Sequence, residues 1–460
     1  MERLVALALE RNPQVSAARA AVLQAEAGRR GAYGFFDPRA TSAAGWADGT
    51  PTVPGVAGEG GIADNADSFQ AGVEKPLSPG FYLGVGGAER HLRDPVADID
   101  ELNQTVGGVQ IRIPLLKDRG FKQWKEEYAG LQAGYEEYAG RFLTACQDVQ
   151  RTVEERYILY LWAIANQDIA EAATARAQRL LKDAQDLVSL QVVPQYQLYP
   201  ARLEVATSRE AETNACATVG TSRRQIQEVV GESPMEASTQ HIDIVALAES
   251  IRMPDLKADA IPPERRGIYV EKKAQLAGQA ASLRLAEDSE RSDLSFQTAY
   301  TWQGEDPSNL IGTERILTDP HSGGEALLVW KRPLGVRQER AKIEAAKARM
   351  SELQEELKAT EWQMAAERDV AAENFRSARQ RLALMTDAVL NARDALAAEE
   401  ERFRLGEGTS RQVLDAQKDL TAIVQRQNDI AAELLQARSG YLHAVGLMGW
   451  DVSANRGRQK

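Results

Sequence analysis

Apolar residues recur every seven positions over long stretches of the sequence. The series are Ile343, Met350, Leu357 and Met364, then, after one interval of eleven, Phe375, Leu382, Val389, Leu396 and Phe403. Heptads with one such insertion are typical of long coiled-coil helices whose supercoil relaxes locally. No Pro occurs from 336 to 405, so we predict a helix of about 70 residues, roughly 105 Å long. The first half shows the same period at Tyr128, Tyr135, Phe142 and Val149. Such helices must pack along one another.

Alternation of apolar and polar residues predicts β-strands. Leu294, Phe296, Thr298, Tyr300 and Trp302 alternate with Ser295, Gln297, Ala299 and Thr301. This length fits a tilted membrane strand of about 9–11 residues. We interpret Phe296, Tyr300, Trp302 and Trp330 as an aromatic girdle at a membrane interface. Residues 325–331 would form the return strand, and residues 39–46 and 105–113 the corresponding pair in the first half. Each strand alone would equally fit a soluble sheet.

The chain reads as two copies of one pattern. Ala201-Arg202 precedes Gly231 by thirty residues, and Ala416-Gln417 precedes Gly446 by the same interval. We predict a first repeat at 1–231, with a short helix, strands within 39–114 and long helices within 118–231. A linker or equatorial region follows at 232–263. The second repeat covers 264–450, with a helix, strands within 293–332 and long helices within 335–446, before a tail at 451–460.

The first half carries extra residues in its strand region. Asp37 to Pro114 spans 77 residues, whereas Asp293 to Pro333 spans 40. The insertion contains two alternating runs, 69–75 and 81–88, joined by turn-forming residues at 76–80. We therefore predict four to six strands per chain. A closed barrel needs roughly eight or more, and an open sheet edge cannot lie in lipid, so membrane strands would require several copies to close a barrel.

Composition excludes some functions. A net charge of −12 argues against a nucleic-acid surface. His91, His241, His321 and His443 show no metal-ligand spacing, and no Ser/His/Asp arrangement can be argued. We therefore expect no metal, no cofactor and no catalysis. The cysteines, Cys146 and Cys216, would lie roughly 35 Å apart along a helical hairpin, so we expect two buried free thiols.

No apolar run approaches the ~18 residues of a membrane-spanning helix. The start, Met1-Glu2-Arg3-Leu4, reads as an amphipathic helix without a signal-peptide core. For an exported protein, we expect the signal peptide to be missing from this sequence.

Several motifs appear in order along almost the whole chain. They are ALERNP at 8–13, QIRIPL at 110–115, VWKRPL at 329–334, RFRLGEG at 402–408 and VLDAQ at 413–417. Together they resemble the TolC-like outer-membrane efflux family. The resemblance implies a mixed α and β fold in which a homotrimer forms a membrane β-barrel and a long α-helical tunnel in the periplasm. It also implies a passive duct for efflux or type I secretion, bound by a periplasmic adaptor and an inner-membrane transporter of the RND or ABC type.

The resemblance also assigns roles to the two turns between long helices. Gln412 and Asp415 match the positions where acidic residues narrow the periplasmic mouth, and Asp415 alone keeps the carboxylate. Gln197 stands where the family often has Asp, and Gln191 where it usually has Gly. Adaptor docking is assigned to Gly406, Glu407, Gly408, Gln191, Val193 and Pro194. The alternative for Asp415 is an ordinary early-helix carboxylate favoured by the helix dipole. The alternative for the whole chain is a soluble periplasmic coiled-coil scaffold or adaptor-like protein.

Overall fold

The computed structural model describes residues 1–48, 65–94, 99–231, 243–252, 262–306, 321–332 and 334–447. The helices in these ranges are α1 Glu2–Arg11, α2 Pro13–Gly31, α3 Lys122–Ser189, α4 Leu198–Val230, α5 Ile244–Ser250, α6 Gly267–Ser289, α7 Arg337–Arg404 and α8 Ser410–Ala444. The strands are β1 Arg39–Asp48, β2 Asn65–Leu77, β3 Phe81–Asp94, β4 Ile99–Pro114, β5 Asp293–Asp306 and β6 His321–Lys331. Short 3-10 turns occupy Ala32–Phe36, Gln195–Gln197 and Pro263–Arg265.

The element order is the same in both halves: helix, strands, a very long helix and a shorter one. Helices α3 and α7 each have 68 residues, and α4 and α8 have 33 and 35. In α7, the second heptad series from Phe375 to Phe403 is buried throughout. In the first series only Ile343 is buried, and Met350, Leu357 and Met364 are half-buried. The heptad prediction therefore identified the packed stripe in the second part of this helix.

The six strands form one antiparallel sheet in the order β1-β2-β3-β4-β5-β6. The strand number is thus the upper value of the prediction. The expected direct pairing of 39–46 with 105–113 is wrong, because the inserted residues form the hairpin β2–β3 between β1 and β4. Residues 49–64 and 307–320, which fall inside the predicted strand regions, lie outside the described residues.

The chain divides into two compact units. One unit comprises Met1–Leu23, Glu136–Lys273 and the described residues from Glu355 onward. Its described elements are helices, and its described residues form three buried apolar clusters. The first joins α1 and the start of α2 to α3 and α4, and the second joins α5 to α3, α7 and α8. The third lies beside the two turns between long helices.

The other unit comprises Gln24–Tyr135 and Ala274–Gln354, and it contains the whole sheet. Among the described residues of the chain, no helix is both long and apolar enough to cross a bilayer.

The two cysteines are both free, but their environments differ. Cys146 is buried on α3, and burial raises the pKa of its thiol to about 11. Cys216 is exposed, which corrects the expectation of two buried thiols: the described residues of the chain do not cover its side chain.

Candidate channel wall and helical turns

The sheet has two chemically different faces. Residues on paired antiparallel strands that lie opposite one another project to the same face. Following the register from β1 to β6, one face carries Ala40, Phe69, Val73, Leu83, Val85, Val109, Ile111, Phe296, Tyr300, Trp302, Ala326, Leu328 and Trp330. We call it the apolar face. Its charged members with described side chains are Lys75 and Glu89.

Large apolar side chains on this face are open to solvent within the chain. Phe69 is 54% exposed, Val85 53%, Leu328 66% and Trp330 62%. A contiguous apolar surface of this kind marks contact with lipid or with another protein. The predicted girdle residues Phe296, Tyr300, Trp302 and Trp330 all lie on it, and the rings of Tyr300 and Trp302 are 5.1 Å apart.

The opposite face, which we call the polar face, is lined mainly by small and polar residues. It includes Gly72, Gly86, Gly108, Thr301 and Gly323. A Cβ on Gly86 would lie 2.9 Å from the carbonyl oxygen of Ala71, so glycine allows the strands to approach closely there.

Six charged residues with described side chains lie on the polar face. They are Arg39, Glu74, Arg112, Asp293, Glu325 and Lys331. The Arg112 guanidinium lies 4.0 Å from a Glu74 carboxylate oxygen and 4.0 Å from the centre of the Tyr82 ring. All of these side chains are open enough to meet solutes on this face.

The loop from β4 into α3 is held by a buried carboxylate. Asp288 is 2% exposed and accepts a hydrogen bond from the Asp118 backbone NH at 2.8 Å. The Asp288 carboxylate oxygen Oδ1 also lies 3.4 Å from the Lys122 Nζ and 3.6 Å from the Arg291 Nε. Burial raises the pKa of the Asp118 carboxyl, while the hydrogen bond from the Gln123 backbone NH acts in the opposite direction. This anchor fixes the point where the sheet becomes helix.

The first helical turn adopts the backbone that glycine favours. Gln191 has φ 58°, in the left-handed region, and its backbone NH donates to the Val188 carbonyl oxygen at 3.0 Å. Val193 is 8% exposed, whereas Pro194 is exposed. The left-handed conformation is retained here without glycine, at a cost of about 1–2 kcal/mol.

The second turn packs against the first. Gly406 has φ 76°, as its glycine predicts, and a Cβ there would lie 3.3 Å from a methyl group of Val192. Gly408 is buried, and Glu407 is exposed. The Ser410 hydroxyl donates to the Gln197 carbonyl oxygen at 3.1 Å, so a hydrogen bond joins the two turns.

The three residues predicted to gate a pore occupy different environments. Gln197 is 8% exposed, and its side-chain oxygen accepts from the Ser410 NH. Gln412 forms a capping box with Thr409 at the start of α8. Asp415 is exposed on the next turn of that helix. Of the three, only Asp415 is a charged residue with an exposed side chain. Its gating role stays a prediction.

Beside the turns, charged side chains line a small cavity between α3, α7 and α8. Arg176, Arg179, Asp183, Glu400 and Arg404 contribute to it. Burial, with a smaller contribution from Arg179, lowers the pKa of the Arg176 guanidinium, which donates to Thr421 at 2.9 Å. The heptads do not indicate this cluster, because apolar residues at that period mark only the packed stripe of a helix. In the part of the chain that the structure describes, no group of three or more His, Cys, Asp or Glu side chains could hold a metal ion.

Three solved structures are similar over nearly the whole chain. The outer-membrane channel OprN is 16% identical, with a TM-score of 0.67, covering 97% of this chain and 89% of OprN. CusC, described in connection with transmembrane channel formation, is 13% identical, with a TM-score of 0.71 and coverages of 96% and 91%. The outer membrane protein VceC from Vibrio cholerae is 14% identical, with a TM-score of 0.67 and coverages of 97% and 95%.

These likenesses establish that the chain has the fold of the TolC-like outer-membrane channels. No protein-family model matches the sequence, and no curated protein matches it either.

Proposed function

We propose that three copies of this chain form an outer-membrane channel with a large periplasmic portion. In this proposal it is the passive exit duct of a tripartite efflux or type I secretion system. A periplasmic adaptor and an inner-membrane transporter of the RND or ABC type would deliver the cargo, and the channel itself would perform no catalysis. The fold shared with OprN, CusC and VceC supports this assignment.

The observation that carries the proposal is the apolar face of the sheet. Leu294, which lies opposite Trp330, is eight residues from Trp302 on β5. The two tryptophans are therefore about 27 Å apart along the strand direction, or about 21 Å along the axis of a barrel whose strands tilt by ~40°. Outer-membrane barrels carry an apolar band about 25 Å tall between two aromatic girdles. The spacing of Trp302 and Trp330 fits such a band.

The edges of the sheet require more than one copy. In the described residues, β1 pairs only with β2, and β6 pairs only with β5. Unpaired strand edges are too costly in lipid, so a six-stranded sheet must close with other copies of itself. The homotrimer that the family resemblance implies would provide this closure.

The paired helical turns suit the periplasmic mouth of the duct. Their joined surface exposes Gln191, Pro194 and Glu407, and Asp415 lies one helical turn further on. We propose this surface as the adaptor-docking site and Asp415 as an acidic residue of the gate.

A soluble scaffold is the less favoured function. It would leave the Phe69, Val85, Leu328 and Trp330 side chains in water, and such a patch promotes association.

The test places one lysine on each face of β6. Ala326 lies on the apolar face midway between the girdles, and the adjacent Leu327 lies on the polar face. A lysine at the bilayer midplane costs about 2–4 kcal/mol. We expect wild-type protein in the outer-membrane fraction as a detergent-stable trimer, with Ala326→Lys strongly reduced there and Leu327→Lys retained. A wild-type chain found entirely as a soluble monomer, or equal membrane yields of the two variants, would contradict the proposal.

A further inference from the structure

We infer that the hairpin β2–β3 is part of the barrel wall, so that three chains close an eighteen-stranded barrel. The inference rests on the proposed function and extends it, because it specifies the number of wall strands and the width of the bore. Without the hairpin, each chain would supply four strands and the trimer twelve.

The strand ladder gives the first support. Every residue of β1, from Arg39 to Asp48, pairs with β2. Every residue of β2, from Asn65 to Leu77, pairs with β3. β3 in turn pairs with β4 from Tyr82 to Leu92. A hairpin outside the wall would leave β1 and β4 paired with each other. Here the two strands are separated by the hairpin along their length.

The face pattern gives the second support. Strands of a membrane barrel alternate between lipid-facing and lumen-facing residues. On the hairpin, Phe69, Val73 and Val85 share the apolar face with Tyr300, whereas Gln70 and Ala88 share the polar face with Thr301. The apolar face thus continues from β5 onto both strands of the hairpin, where Lys75 and Glu89 are its charged residues with described side chains. Lys75 lies two residues from the end of β2, where its long side chain can reach the membrane interface.

The turn of the hairpin gives the third support, because it is packed onto the loop that leads from β4 into α3. A Cβ on Gly80 would lie 2.5 Å from the Gly120 Cα, so the two backbones are in direct contact. The Tyr82 ring stacks edge-on against Phe121 with a centroid distance of 5.2 Å. The hairpin is therefore attached at its base as well as along both of its edges.

The extra strands change the expected size of the pore. With strands about 4.8 Å apart and tilted by ~40°, a closed barrel of eighteen has a backbone diameter of about 36 Å, compared with about 24 Å for twelve. The small residues on the polar face, including Gly72, Gly86, Gly108 and Gly323, would leave most of this width open.

The first experiment measures the accessibility of single cysteines to a charged, membrane-impermeant thiol reagent in proteoliposomes. The background carries Cys146→Ala and Cys216→Ser, because the natural Cys216 thiol is exposed. Phe69→Cys and Val85→Cys test the apolar face of the hairpin, and Gln70→Cys and Ala88→Cys test its polar face. Tyr300→Cys and Thr301→Cys are the matched references on β5.

We expect Gln70→Cys and Ala88→Cys to react as fast as Thr301→Cys, and Phe69→Cys and Val85→Cys to be at least tenfold slower, like Tyr300→Cys. If both faces of the hairpin react equally while the β5 references differ, the hairpin lies outside the wall, and the channel proposal stands without it. If the β5 references also react equally, the channel proposal fails, and this inference fails with it.

The second experiment is end-on electron cryomicroscopy of the detergent-solubilised trimer. Eighteen wall strands and a diameter near 36 Å are expected. A wall of twelve strands would overturn the inference and leave the channel proposal intact.

Discussion

Gly80→Ala should weaken the junction between sheet and helices, because Gly80 is the point where the inserted hairpin touches the loop before α3. Gly80 has φ 136°, a conformation that costs a residue with a Cβ about 1–3 kcal/mol. The new Cβ would also lie 2.5 Å from the Gly120 Cα, whereas ordinary carbon contacts are ~3.5–4.0 Å. The loop would have to shift by about 1 Å, and such overpacking costs about 1–3 kcal/mol. The two effects together predict a local loss of stability of about 2–6 kcal/mol.

Hydrogen exchange measured by mass spectrometry would report this loss in the peptides covering residues 77–82 and 115–124. Because each 1.4 kcal/mol is a factor of ten, a loss of 2 kcal/mol speeds exchange through local opening about 30-fold. Gly28→Ala is the matched control. Gly28 lies within α2, and an added Cβ would have no atom within 4 Å. We therefore expect Gly28→Ala to stabilise the helix by about 1 kcal/mol. Unchanged exchange in both peptides of Gly80→Ala would show that the hairpin is not docked on this loop.

Four further changes test other parts of the structure. Phe403→Ala removes a side chain that is 2% exposed beside the helical turns. We expect the free energy of unfolding to fall by about 3–5 kcal/mol and amide exchange in residues 396–414 to become faster, and unchanged exchange would contradict the packing. The Cys146 thiol, with its pKa raised to about 11, should resist a thiol-specific reagent at pH 8 until the protein is unfolded, and rapid labelling of the folded Cys216→Ser variant would refute its burial. Asp288→Asn should cost about 1–3 kcal/mol in thermal or urea unfolding, because Lys122 and the Asp118 NH lose a charged partner, and an unchanged midpoint would refute the anchor. Asp415→Ala should raise leak conductance or weaken block by cationic ligands in planar bilayers, and unchanged conductance and block would reject the gating role.

Periodicity predicted the elements whose packing is local. The heptads of α7 identify buried residues because every seventh side chain of a coiled-coil helix returns to the same stripe. The strand face from Leu294 to Trp302 was predictable for a similar reason, since alternate residues of a strand project to the same side. Gly406 likewise indicated the positive-φ turn that the structure has there.

Contacts between distant segments were not predictable in this way. The sequence shows that residues 69–88 suit a hairpin, but the pairing of β2 with β1 and of β3 with β4 depends on register between separated segments. Gln197 and Ser410 are 213 residues apart, and neither residue type signals their hydrogen bond. The exposure of Cys216 depends on which helices border α4, and a helix pattern alone cannot specify its neighbours.

Ion conduction through the purified oligomer tests the central claim most directly. Planar lipid bilayers with the trimer added should show discrete, uniform current steps, because the polar face of the closed sheet would line a continuous aqueous path. The oligomer should also be recovered from the membrane after the recording. A trimer that is incorporated into the bilayer yet produces no current steps would contradict the proposal that this chain forms a channel.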